Sequence, residues 1–124
     1  MAVRFYRCAH CGNVIEKLVD SGVPVVCCGE KMAELEPGVV DADLEKHVPH
    51  VTRQGNGSLK IEVGSVHHPM LKEHHIAFIY VETTDGGVKV SLKDEPVAEV
   101  CYCKSKPVAV YEYCNLHGLW KTEL

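Results

Sequence analysis

The sequence predicts an all-β protein in two modules, a short thiol-rich one followed by a longer β-sandwich or barrel. Three observations carry the prediction. Short segments rich in β-branched and aromatic residues recur along the chain. Turn signals separate them, and little of the chain has a helical period. The metal-binding residue types are also unevenly divided: four of the seven cysteines lie in the first 28 residues, while seven of the eight histidines lie at or after His47.

Taken in order, the first module holds Cys8, Cys11, Cys27 and Cys28, and the turn signal Pro37-Gly38 is its natural end. The expected modules are therefore residues 1–37 and 38–124. The stretch "DADLEK" at 41–46 is expected to form one helical turn at most. "SLKIEVG" then places Leu59, Ile61 and Val63 on one face of a strand, and "GVKVSLK" does the same with Val88, Val90 and Leu92. "HIAFIYVETT" and "PVAVYEY" are further strands. Gly55-Asn56-Gly57, Asp85-Gly86-Gly87 and Asp94-Glu95-Pro96 supply the turns between them.

Composition narrows the function. An apolar content of 46% in 124 residues is enough for a real core. A formal charge of −4 argues against a duplex nucleic acid partner. "IAFIYV" is too short to span a membrane, and "MAVRFYRCAHCG" lacks the apolar core of a secretion signal. The expected location is the cytoplasm, where thiols stay reduced. Seven cysteines cannot all pair within one chain, so metal ligation or thiol chemistry is the better reading. Thiolates together with imidazoles suit transition metals.

Cys8-x2-Cys11 is a knuckle that grips one metal from a tight turn, with Gly12 easing the turn. Cys27 and Cys28 are adjacent, and neighbouring side chains in a strand point opposite ways. Both reach one metal only if the backbone bends there, and Gly29 follows at once. Four thiolates satisfy a tetrahedral metal; spacing alone leaves zinc and iron open. A zinc staple for a module too small to own a core is the plainer alternative.

The second constellation is "EKHVP", "VHHPM", "KEHHI" and "CNLHG". A lone histidine is usually an ordinary polar residue, and that reading suits His10 and His50. Each doublet, His67-His68 and His74-His75, is expected to give at most one ligand to a shared metal. One from each, with His47, His117 and the nearby Cys114, makes four imidazoles and one thiolate. Five ligands with a vacant sixth position suit a redox metal that binds a small molecule, iron above all.

These motifs in this order resemble desulfoferrodoxin, the two-iron-centre class of superoxide reductases, over essentially the whole chain. The resemblance implies a desulforedoxin-like N-terminal domain and an immunoglobulin-like β-sandwich. It selects His68, before Pro69-Met70, and His74. The implied catalytic iron is held by His47, His68, His74 and His117 in a plane with Cys114 as axial ligand, and a rubredoxin-like iron by Cys8, Cys11, Cys27 and Cys28. It further implies a homodimer, a rubredoxin-like electron donor, and the reduction of superoxide to hydrogen peroxide as part of oxidative-stress defence. Lys46 is implied to draw superoxide in, and Glu45 to reach the vacant position of the ferric iron. His75 stands where a large aromatic is common, and Glu73 where a basic residue is expected. Cys101 and Cys103 lie outside the pattern and read as small buried hydrophobes. An electron carrier without substrate chemistry and a zinc-binding structural module are the competing functions.

Overall fold

The computed structural model describes residues 3–38, 47–55, 57–64, 68–101 and 106–124, apart from the side chain of Cys101. The chain divides into two compact units, Met1–Glu36 and Pro37–Leu124. All twelve strands described pair antiparallel. The expected helical turn at 41–46 lies outside the described residues, as do Glu45, Lys46, His67 and Cys103.

The first unit contains β1 (Phe5–Arg7), β2 (Val14–Glu16), β3 (Val26–Cys27), β4 (Glu30–Lys31) and β5 (Ala33–Leu35). β1 is central in a sheet of order β2-β1-β5, and β3 and β4 form a separate hairpin. Its buried apolar residues are few: Phe5, Cys8 and Met32. So small a core supplies little stability by itself, and a bound metal is the usual staple for such a module.

The second unit runs through β6 (Pro49–Arg53), β7 (Ser58–Val63), β8 (Ile76–Thr83), β9 (Gly86–Ser91), β10 (Val97–Cys101), β11 (Pro107–Cys114) and β12 (Gly118–Glu123). Two sheets result, of order β10-β7-β6 and β12-β11-β8-β9. The alternation of β7 buries Leu59, Ile61 and Val63 almost completely. They meet Ile76, Ile79, Val81 and Val110 from the other sheet, with Ala98 and Val100 of β10. Each fully buried Leu, Ile or Val contributes roughly 1.5–3 kcal/mol. β9 alternates as expected, but it is an edge strand. Val88 therefore stays 41% exposed while Val90 and Leu92 pack against the core.

Two features of this sandwich place chemistry. β11 and β8 slip by one residue at the end of the sheet: Tyr113 pairs with Phe78, but Cys114 pairs with Ile76, leaving Ala77 unpaired. Such bulges re-aim the side chains beside them. Here the extra residue lies on β8, so Ile76 rather than Ala77 joins Ile79 on the inner face, beside Cys114, which shares the face of Val110 by the alternation of β11. The tight turn from β11 to β12 then returns the chain with Gly118 opposite Cys114.

Candidate metal centres

In the first unit, Cys8, Cys11, Cys27 and Cys28 converge, with all four sulfurs within 4.8 Å of one another. The Cys8–Cys11 knuckle closes through Gly12 N–H donating to the Cys8 carbonyl at 3.0 Å, and Gly12 takes a positive φ of 82°. Cys11 N–H points at Cys8 Sγ at 3.5 Å. The adjacent pair is explained by the β3–β4 hairpin. Cys27 pairs with Glu30, so Cys28-Gly29 is its two-residue loop. Both have positive φ, 53° and 76°, the pattern of a type I′ turn. That left-handed bend lets two neighbouring thiols face one point, and Cys28 is the one non-glycine residue with positive φ among those described.

The spacing suits a metal. Sulfurs held about 2.3 Å from a tetrahedral ion lie about 3.8 Å apart. Cys11 and Cys27 Sγ are 3.7 Å apart, and Cys27 and Cys28 Sγ 4.0 Å. Electrostatics agree. The backbone N–H groups of Cys11 and His10 pull the Cys8 thiol down to about 6. Its neighbours Cys11, Cys8 and Cys27 push the Cys28 thiol up to about 12. Four thiols this close resist losing all their protons unless a cation takes up the charge.

In the second unit, His47, His68, His74, Cys114 and His117 bring five donor atoms within 4.8 Å of one another. The segment before β6 supplies His47, the β7–β8 connection His68 and His74, the end of β11 Cys114, and the following turn His117. The four imidazoles form a closed ring. Centroids are 4.7 Å apart for His47–His68, 4.7 Å for His68–His74, 5.0 Å for His74–His117 and 4.8 Å for His117–His47. Each ring stands nearly perpendicular to the next, at 77–88°. Nitrogens about 2.0–2.1 Å from a metal in a square would lie about 2.9 Å apart. His47 Nε2 faces His117 Nδ1 at 3.0 Å and His68 Nε2 at 3.1 Å. Cys114 Sγ is 3.8 Å from His117 Nδ1.

The surroundings fix protonation. His68 Nδ1 lies 2.7 Å from the Pro69 carbonyl, which only accepts, so Nδ1 donates and Nε2 keeps its lone pair. Burial pushes His68 down to about 4, so the ring stays neutral. Burial likewise pushes the Cys114 thiol up, against the pull of the His117 and Leu116 backbone N–H groups. His117 N–H approaches Cys114 Sγ at 3.4 Å. Trp120 lies against His47, ring centroids 5.1 Å apart, and donates its indole N–H to the His117 carbonyl at 3.0 Å.

Of the second doublet, His74 enters the cluster, while the His75 ring turns to the carbonyls of Leu71 and Lys72. His10 and His50 are exposed, and His10 contacts Glu30. Three neighbours escaped sequence reasoning. Trp120 is the sole tryptophan of the chain, and that was the available signal. Asn115 sits inside "CNLHG" and bonds across to the His74 segment. Glu112 is fully buried, and neither carboxylate oxygen has a hydrogen-bond partner among the described residues. Burial pushes its carboxyl up to about 9.

Comparison with known proteins agrees with both clusters. The family profile "Desulfoferrodoxin, N-terminal domain" matches residues 2–35 and "Desulfoferrodoxin" matches residues 39–123. The desulfoferrodoxin of Nitratidesulfovibrio vulgaris is 46% identical over 120 residues, covering 95% of this chain and 94% of that protein. The superoxide reductase of Pyrococcus abyssi is 36% identical over 99 residues, covering 64% of this chain and 86% of that one. The crystal structure of the superoxide reductase from Treponema pallidum superposes with a TM-score of 0.82 at 31% identity, covering 99% of this chain and 100% of that one. With both profiles matched along its length and both ligand clusters assembled, the chain belongs to the desulfoferrodoxin family.

Proposed function

We propose that this chain is a superoxide reductase: one superoxide, one electron and two protons give one hydrogen peroxide. The observation that carries this reading is the closed ring of four imidazoles with the Cys114 thiol beside it. Five protein donors leave a six-coordinate metal one ligand short, which is what a small-molecule reductase needs and a structural zinc site avoids. Bound iron supplies the electron in its ferrous state and a positive charge for the incoming anion.

In this reading His47, His68, His74, His117 and Cys114 hold the catalytic iron, and Cys8, Cys11, Cys27 and Cys28 hold the second. Neutral imidazoles leave the metal's charge uncancelled. The N–H groups around Cys114 Sγ temper the donation of the thiolate. Lys46 steers superoxide to a chain that is acidic as a whole, and Glu45 would supply a carboxylate to the bound iron once it is oxidised. We place the domain boundary between residues 37 and 38. No described helix is long and apolar enough to cross a membrane. The further reading, which the family resemblance supports, is a cytoplasmic homodimer reduced by a rubredoxin-like protein; the absence of disulfides among the described residues suits a reducing compartment.

The test begins with metal content and visible spectrum of anaerobically purified protein, where two irons per chain are expected. Rapid mixing with superoxide should then give one peroxide per superoxide and no dioxygen. Zinc alone in protein grown with ample iron, or dioxygen released as by a dismutase, would overturn the assignment. Lys46→Ala should slow association and weaken its salt dependence. An unchanged rate at low salt would remove Lys46 from the mechanism.

A further inference from the structure

Four of the five ligands of the second centre come from two segments that meet at the end of the β8–β11 pair. One carries His68 and His74, and the other carries Cys114 and His117. Regular pairing of these strands ends at Cys114 opposite Ile76. Beyond that point the contact continues in another form. Asn115 N–H donates to the His75 carbonyl at 3.1 Å. The return bond of a regular antiparallel pair would run from His75 N–H to the Asn115 carbonyl. Instead, His75 N–H donates to the side-chain Oδ1 of Asn115 at 2.8 Å. The same carboxamide donates through Nδ2 to the Glu73 carbonyl at 3.0 Å.

We propose that Asn115 is a positioning residue for the metal centre: its carboxamide stands in for a strand peptide and clamps the backbone on both sides of His74 to the loop that carries Cys114 and His117. The inference rests on the reading of these five residues as the ligands. Chemistry makes the side chain specific. The site presents one donor, His75 N–H, and one acceptor, the Glu73 carbonyl, and only a primary amide of this length answers both. Because the side chain takes the bond that its own carbonyl would accept, the backbone at Asn115 is free to leave the sheet and turn. That turn brings His117 Nδ1 to 3.8 Å from Cys114 Sγ. The three bonds flank His74 without touching its ring. Asn115 therefore sets where the imidazole sits relative to the thiol.

Partners of this kind orient metal ligands, and losing one typically weakens metal affinity or activity about 10- to 100-fold. The test uses the full-length, iron-loaded protein in two variants. Asn115→Ala removes both polar atoms, while Asn115→Asp keeps size and acceptor but sets a carboxylate oxygen against the Glu73 carbonyl. Three readouts apply: the thiolate-to-iron charge-transfer band of the ferric centre, its midpoint potential, and the rate of iron loss to a chelator. We expect a shifted band, a shifted potential and about 10- to 100-fold faster iron loss from this centre. The spectrum of the four-cysteine centre should be unchanged in both variants. If Asn115→Ala does not fold, Asn115→Asp alone must show these effects. A wild-type band, potential and release rate in a folded variant overturns the proposal, and so does a lowered melting temperature with those three unchanged. If the parent chain holds no iron among the five ligands, it is the ligand assignment that fails.

Discussion

Trp120 stacks on His47 with ring centroids 5.1 Å apart and planes 28° from parallel, while its indole N–H bonds the His117 carbonyl at 3.0 Å. One side chain thus touches the segments of two imidazole donors. As the sole tryptophan, it should report metal loading directly. Adding ferrous or cobaltous ion to metal-free protein should quench its fluorescence in step with occupancy of the histidine centre. Emission indifferent to loading would contradict the packing. Trp120→Phe keeps a ring over His47 but loses the donor, and should cost about 0.5–1.5 kcal/mol in urea unfolding.

The two metal clusters predict opposite outcomes for two serine substitutions. Cys114→Ser removes the one thiolate among the five donors and should abolish turnover with superoxide. Cys8→Ser removes the buried thiol of the other cluster and should leave most of the turnover while bleaching that centre. Equal loss of turnover in both would make the four-cysteine iron an obligatory relay.

Gly29 completes the left-handed bend at the adjacent cysteines, with φ of 76°. Nothing lies within 4 Å of a Cβ added there, so Gly29→Ala meets no clash, only backbone strain. A left-handed residue with a side chain costs about 1–2 kcal/mol. Iron loss from the four-cysteine centre on mild acidification should be faster in this variant, followed at its visible band, with the histidine centre unaffected. An unchanged rate would show that the turn does not hold the thiols in place.

Glu112 lies fully buried on β11, two residues before Cys114, with both carboxylate oxygens lacking hydrogen-bond partners among the described residues. An unsatisfied buried polar group costs about 1–3 kcal/mol, more when charged. Glu112→Met, similar in length and apolar, should therefore raise stability by about that amount in urea unfolding of the loaded protein. A loss of stability would mean that the carboxyl makes bonds within the fold that its surroundings do not reveal.

Legibility in the sequence followed locality. β7 was readable because one face of Leu59, Ile61 and Val63 is buried and the other is not. Val88 sits on the expected face, yet the sequence carries no sign that β9 is an edge. The bend at Cys27-Cys28 followed from two neighbouring side chains needing one target, and Gly29 marked it. The doublets were harder. Alternation says that one histidine of each is chosen, but family resemblance was needed to pick His74 over His75. Glu112 was invisible because β11 is buried on both faces, so its alternation offers no polar side on which to place a carboxylate. Asn115 was invisible because its partners, Glu73 and His75, are 42 and 40 residues away. The slip at Ala77 that turns Ile76 inward beside Cys114 also depends on pairing between distant strands.

That difference in separation orders how the two centres are built. Cys8 and Cys27 are 19 residues apart, while His47 and His117 are 70 apart. Loop-closure entropy grows by about 0.6 kcal/mol per doubling of length, so this gap adds only about 1 kcal/mol. The larger effect is topological. The four cysteines belong to a low-contact-order segment that an ion can gather by itself. The histidine set exists only once β6, β8, β11 and β12 have all found their neighbours. The first centre can therefore mature early, as a nucleus of its own unit. The catalytic one is complete only when the sandwich strands that carry its ligands have paired.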